Sequence, residues 1–525
     1  MANSTKRWCY AAWVAVIAGF ALLHALHLRA DFPNHSPWSM DWAKYTDEGW
    51  YGNGAIRAHL FGRWYVPGDF NPAVAAPVWP FLEWALFFFT GVTPQAARGL
   101  AITAFFLNLC LGYLLLRTSG SRWMALLALT LLVTNPFLYC FSRLAILEPC
   151  LTTFTLAAMN LAVRLPRWRR PVLAAACIGL LFTVMMLTKT TAIFLLPALA
   201  WAMVAPLAKT KKLGMQCVLA AGTAFAASYA AWMALVIHGG FLEDYKYFFF
   251  INQYERPTGL LWPFISLWWS FHGGLWIDRI LIPLAGVLVV GALACFRSFH
   301  GLFLDPVFGA SLLAAAGYIL FMTYQDHPQP RYFAVVAVFC FFLIAQLTEA
   351  LAARAAEGAG WRVAGWGTIG LVAVAACANG ARTLDYAAHP EYTWVNAAAG
   401  LTRYIDAHPN GNRLLLSVSG DEITLLTHLP ALCDDFGTME LPDKLGRYQP
   451  GWYASWNDLD PGALADLHTH YSIEQAASFP AFDDRERNVL ILFKLRPLPG
   501  GKVRDEGDQD MTVELPEDSF DAPIE

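Results

Sequence analysis

Two acidic groups stand where a carboxylate is costly. Asp47-Glu48 lies in the segment 29–73, among Asp31, Asp41 and Asp69 and the aromatics Trp38, Trp42, Trp50, Tyr51 and Trp64. Glu148, in Arg143-Leu-Ala-Ile-Leu-Glu148-Pro149, opens an apolar run, with Arg143 as a candidate partner. Lys189 sits between two apolar runs, and Gln325-Asp-His327-Pro-Gln-Pro-Arg331-Tyr332 makes a further polar knot. Each has an ordinary account alone: a helix N-terminus favours a carboxylate, and a lysine can snorkel. Yet ionisable groups at a bilayer boundary mark function by default. Carboxylates and cations above an apolar groove suit sugar transfer from a polyprenyl-phosphate donor. One acid takes the acceptor's proton, and Lys, Arg or a metal ion steadies the departing phosphate.

The elements that must hold these groups are membrane helices. Hydrophobic residues make up 57% of the 525 and charged residues 14%, against ~25% charge in ordinary soluble domains. A helix needs ~20 apolar residues to cross ~30 Å of hydrocarbon. Eleven segments qualify as candidate spans: 8–28, 98–116, 122–141, 146–163, 171–187, 190–207, 214–237, 279–296, 303–324, 331–352 and 361–380. Lys6-Arg7 before the first could mimic a signal peptide, but a retained helix is expected. The net charge of −4 gives no nucleic-acid signal, and the ten cysteines form no disulfide framework.

Basic residues stay cytoplasmic. Lys6-Arg7, Arg117, Arg164 to Arg170, Lys209 to Lys212, Arg297 and Arg354 then alternate consistently only if the apolar stretch 74–92 is re-entrant or interfacial. Loops 29–73 and 238–278, and the region after Ala381, fall together on the extracytoplasmic side. Around Ala55, Ile56 and Leu60 the spacing fits a short helix lying on the surface. The expected architecture is therefore an α-helical polytopic membrane module, 1–384, carrying a small α/β domain, 385–498, and a disordered acidic tail, 499–525. In that domain Trp394 to Ala407 reads as a helix. Arg413 to Ser417 and Val489 to Phe493 read as strands, and Pro461 to Leu467 as a helix capped by Asp460.

Thr46-Asp47-Glu48-Gly-Trp-Tyr51, Ala145-Ile-Leu-Glu148-Pro149, Leu187-Thr-Lys189, Phe241 to Phe250 and Pro330-Arg331-Tyr332 occur in an order that resembles the GT-C membrane glycosyltransferases. The resemblance is to the protein O-mannosyltransferase and lipid A aminoarabinose transferase type, over about residues 8–350. It implies an inverting transferase with Asp47 as base, Glu48 as its structural or metal-coordinating neighbour, and Glu148 as second acid. Lys189 and Arg331 would face the donor phosphate, with Tyr332, His327 and Arg143 completing the substrate-binding set. A divalent Mg or Mn ion is a candidate cofactor, although no ligand spacing identifies one and His468-Thr-His470 is too little alone. Protein, lipid and polysaccharide acceptors fit equally. Relatives carry a lysine before the proline-rich stretch, where this chain reads Phe70-Asn71-Pro72-Ala73. Two other classes compete. A transporter or flippase would show repeat halves and a midplane site. An assembly subunit would depend on its C-terminal domain alone.

Overall fold

The computed structural model describes residues 2–251, 259, 261–273, 277–324, 329–483 and 487–498. His327 and the tail 499–525 lie outside them. All eleven apolar runs form helices. Among the described residues eight helical segments are long and apolar enough to cross a membrane, or up to ten if each bent pair is one span. The shortfall from eleven has two causes. The expected span 146–163 is the helix Leu147–Ala162, whose 16 residues reach only ~24 Å at 1.5 Å per residue. The expected spans 122–141 and 279–296 are broken. Arg122–Thr134 turns by 68° into Pro136–Ser142, where Pro136 removes a helical donor and Asn135 caps the new helix through Leu138 N at 3.2 Å. Leu281–Ala294 and Phe296–Phe303 meet at 113°. The stretch 74–92 holds one short apolar helix, Val78–Thr90, of 13 residues.

The helix Ala359–Ala388 runs past the expected domain boundary at residue 385. Beyond it lies a five-stranded sheet of order β2-β1-β3-β5-β4. Its strands are β1 (Leu415–Leu416), β2 (Ala431–Leu432), β3 (Trp452–Trp456), β4 (Tyr471–Pro480) and β5 (Val489–Pro497). β1 pairs parallel with β2 and β3, and β5 runs antiparallel to β3 and β4. The helix Gly420–Thr427 links β1 to β2, and Leu441–Tyr448 links β2 to β3. The expected helices appear as Thr393–Ala407 and Pro461–His468, the second capped by Asp460. All ten cysteines are free.

The helix at Ala55 exists, but it does not lie on a surface. Asp47–Phe61 is buried along its first eleven residues except Tyr51. The reason is its glycines. A Cβ on Gly49 would stand 2.1 Å from Glu422 N, so the Gly420–Thr427 helix packs directly on this backbone. A Cβ on Gly52 would stand 2.3 Å from Glu83 Oε2, which admits the short helix Val78–Thr90 on another side. Charges fasten the same seam. Arg57 bonds Asp69 and, at 2.7 Å, Asp421. Asp31 caps Thr393–Ala407 by accepting from Trp394 N at 2.7 Å and Val395 N at 3.1 Å. Tyr45 lies inside the hydrophobic core of the C-terminal domain, with Trp394, Leu401, Ile423 and Trp452.

Candidate active site

Asp47 is the first residue of its helix and Glu148 the second residue of Leu147–Ala162, so both carboxylates meet a helix N-terminus. Lys189 lies at the break between Pro171–Thr188 and Thr190–Leu195. Arg331 lies in the turn Pro330–Tyr332 that opens Phe333–Arg354. Folding brings these four together. Glu148 pairs with Lys189. The Lys189 ammonium lies 4.4 Å from the centre of the Tyr332 ring, and the Arg331 guanidinium 4.9 Å from it. Arg331 then reaches Asp47, Nε to Oδ2 at 2.7 Å. A continuous chain of charge thus runs from Glu148 to Asp47, and each member is under a tenth exposed.

The chain has a further member that the sequence reading left among the loop acids. Asp41 accepts from Arg331 twice, from Nη1 at 2.6 Å and from its backbone N at 2.8 Å. It also caps the turn Trp42–Lys44 through Ala43 N at 2.9 Å. Asp41 therefore fixes Arg331, and Arg331 fixes Asp47. The contact with Asp47 is ionic only, because neither Oδ2 nor Nε has a hydrogen bond. Burial pushes the Asp47 carboxyl up to about 6. Arg331 opposes this, while the charges on Asp41 and Glu148 add to it. A carboxylate so placed is ionised near neutral pH and keeps a lone pair for a proton.

Glu48 points elsewhere. Its two oxygens accept from Arg98 Nε at 2.8 Å and Nη2 at 2.5 Å, and Ala145 N adds a bond at 2.7 Å. Arg98 also donates to the carbonyls of Leu28 and Ala30. Glu48 thereby ties its helix to Pro94–Leu116 and to the turn before Glu148. Arg143 does not partner Glu148. It donates to Tyr139 and to the carbonyls of Leu26 and His27, closing the end of the first helix, because Lys189 already holds Glu148. In the lysine-free segment Phe70 to Ala73, Asn71 bonds Val66 O at 2.8 Å, Asp69 O at 2.9 Å and Asp244 Oδ1 at 3.1 Å. Asp244 belongs to the motif Phe241 to Phe250, so Asn71 joins the two long loops.

Among the described residues no group of three or more His, Cys, Asp or Glu could hold a metal ion. Asp41 and Asp47 both pair with Arg331, and no step below uses a metal ion.

No sequence-family profile matches this chain, and no curated protein matches it by sequence. Solved structures do. ArnT from Cupriavidus metallidurans bound to undecaprenyl phosphate is similar with a TM-score of 0.60 at 14% identity, over 92% of this chain and 98% of that one. Its apo state gives 0.59 at 14% identity, with the same coverage. The apo oligosaccharyltransferase of Archaeoglobus fulgidus gives 0.51 at 13% identity, over 91% of this chain and 76% of that one.

Proposed function

The chain has the fold of the GT-C membrane glycosyltransferases, and we propose that it performs their kind of reaction. It transfers a sugar from a polyprenyl-phosphate donor to an acceptor hydroxyl, with inversion and with Asp47 as base. One observation carries this reading: Asp47 Oδ2 is buried, held by an arginine, and free of hydrogen bonds. The donor phosphate docks against Lys189 and Arg331, which their carboxylate partners hold in position. The acceptor oxygen attacks the anomeric carbon, the bond from that carbon to the phosphate oxygen breaks, and polyprenyl phosphate leaves with the electron pair. The acceptor's proton passes to Asp47. Positive charge from Lys189 and Arg331 offsets the charge that grows on the phosphate. Glu48 and Arg98 keep the base in place, and Asp41 keeps Arg331 in place. The reaction takes place on the extracytoplasmic side, with the N-terminus cytoplasmic.

Support comes from the fold and from ArnT of Cupriavidus metallidurans having been solved with undecaprenyl phosphate bound. The test is transfer in liposomes from undecaprenyl-phosphate-linked sugars. Asp47→Asn is expected to abolish transfer while the protein still inserts and melts normally. Unchanged transfer by that variant would remove Asp47 as the base.

A further inference from the structure

A cavity lies against Trp42 and Tyr45, on the segment between Asp41 and Asp47. It measures about 610 Å³ and is walled by three separate parts of the chain. Trp42 and Tyr45 come from the first long loop, Tyr247 from the second, and the rest from the C-terminal domain. The volume falls within the ~300–1,000 Å³ of small-molecule sites.

Its lining is one-sided. Asp434, Asp435, Glu440, Asp460 and Asp466 face a single arginine, Arg487. Arg487 is itself drawn over the rings of Tyr45 and Trp42, at 4.7 and 5.7 Å. Lys444 stands behind the wall, where it donates to the carbonyls of Cys433 and Phe436. Partial withdrawal from water at the cavity wall raises the Asp435 carboxyl, Lys444 opposes this, and Asp460 and Glu440 raise it further, so these acids feel one another. Asp434 bonds the Tyr453 hydroxyl beside it, yet its Oδ1 is buried at the cavity and has no hydrogen bond. Trp42, Tyr247, Tyr453 and Trp456 supply flat apolar faces.

Aromatic faces suit a sugar ring, and a carboxylate wall suits a protonated amine. From this lining we infer that the cavity binds an amine-bearing sugar, which serves as the acceptor unit or as part of it. An acceptor whose groups near the reacting hydroxyl are anionic would be repelled. Its role as acceptor site rests on the transferase reading above; its binding preference does not.

The experiment uses the full chain in detergent, titrated with a glucosamine tetramer, its fully N-acetylated form, a galacturonate tetramer and pentalysine. Binding is followed by tryptophan fluorescence and calorimetry. The glucosamine tetramer is expected to bind at least about tenfold tighter than the other three, the scale of one charged hydrogen bond. Asp435 and Glu440 are exposed, and among the described residues no hydrogen bond or ion pair holds their side chains. The double substitution D435N/E440Q is therefore expected to fold and to lose that preference. Equal binding of the acetylated or anionic tetramer, or an unchanged preference in the double variant, overturns the inference. Equal or tighter binding of pentalysine does so too, in favour of a basic peptide. Asp47→Asn is expected to leave binding intact, so a failure of the transferase reading shows as the binding preference without transfer, and a failure of this inference as transfer without the preference.

Discussion

Asp47 Oδ2 stands 2.7 Å from Arg331 Nε with no hydrogen bond between them. The cation pairs with the carboxylate and opposes the upward shift that burial gives it. With the Asp47 carboxyl pushed up to about 6 by burial, the base is protonated below that pH and competent above it. The single-turnover rate is expected to rise with pH through an inflection near 6. Asp41 adds to the upward shift, so Asp41→Asn should move the inflection down. Arg331 opposes it, so any residual rate of Arg331→Gln should show an inflection moved up. An inflection indifferent to Asp41→Asn would mean that another group titrates.

Lys189 and Glu148 are buried together, so removing one alone leaves an unpaired charge that costs ~3–5 kcal/mol. The double variant Glu148→Gln/Lys189→Gln avoids that cost. It is expected to fold and to raise the donor KM by about tenfold or more, since a charged hydrogen bond to phosphate contributes ~1.5–3 kcal/mol. A donor KM equal to the parent's would place the phosphate elsewhere.

Glu48 and Asp47 should fail differently. Glu48→Gln breaks a buried pair with Arg98, and thermal unfolding in detergent should report a loss of ~3 kcal/mol or more. The fraction that remains folded should still transfer sugar. Asp47→Asn should show the opposite pattern. If Glu48→Gln lost transfer without losing stability, Glu48 would belong to the chemistry.

Gly49→Ala adds one methyl against a backbone amide that has nowhere to go. Overpacking of this kind costs ~1–3 kcal/mol. Protease digestion should nick the variant between the helices and the sheet, while Gly62→Ala, whose Cβ meets no neighbour but whose φ is +71°, should be strained without loosening that seam.

Chelation should leave transfer unchanged if Lys189 and Arg331 alone steady the phosphate, since among the described residues no three His, Cys, Asp or Glu gather as metal ligands. Transfer that disappears with EDTA and returns with Mg or Mn would assign the metal to the donor or to residues outside those described.

Hydropathy made the spans legible because apolar length is a local property. It could not show Leu147–Ala162 as too short, since that helix fills nearly the whole apolar run and only its length falls below a full crossing. β1 and β5 were legible as apolar runs, whereas β3 and β4 were not: Trp452–Trp456 and Tyr471–Pro480 mix polar and apolar residues. The acids at 47 and 148 were legible because their charge is out of place. Their partners were only partly so. Arg331 and Lys189 stood out as cations between apolar runs. Asp41 lies 290 residues from Arg331 and looked like any loop acid. Its one local signal is its position just before the turn Trp42–Lys44. The Arg57–Asp421 link, across 364 residues, left no local sign at all.

Tyr45 packs at 5.6 Å against Trp456 and completes a core whose other buried members come from the sheet and helices of the C-terminal domain. The C-terminal region is thus not a cassette. Grafted onto another bundle it would carry a hole where a foreign loop fails to supply this ring, and expressed alone it would expose that hole to water. Drift at position 45 and at position 456 is correspondingly constrained to proceed in step, so the two should covary wherever sequences of this kind are aligned.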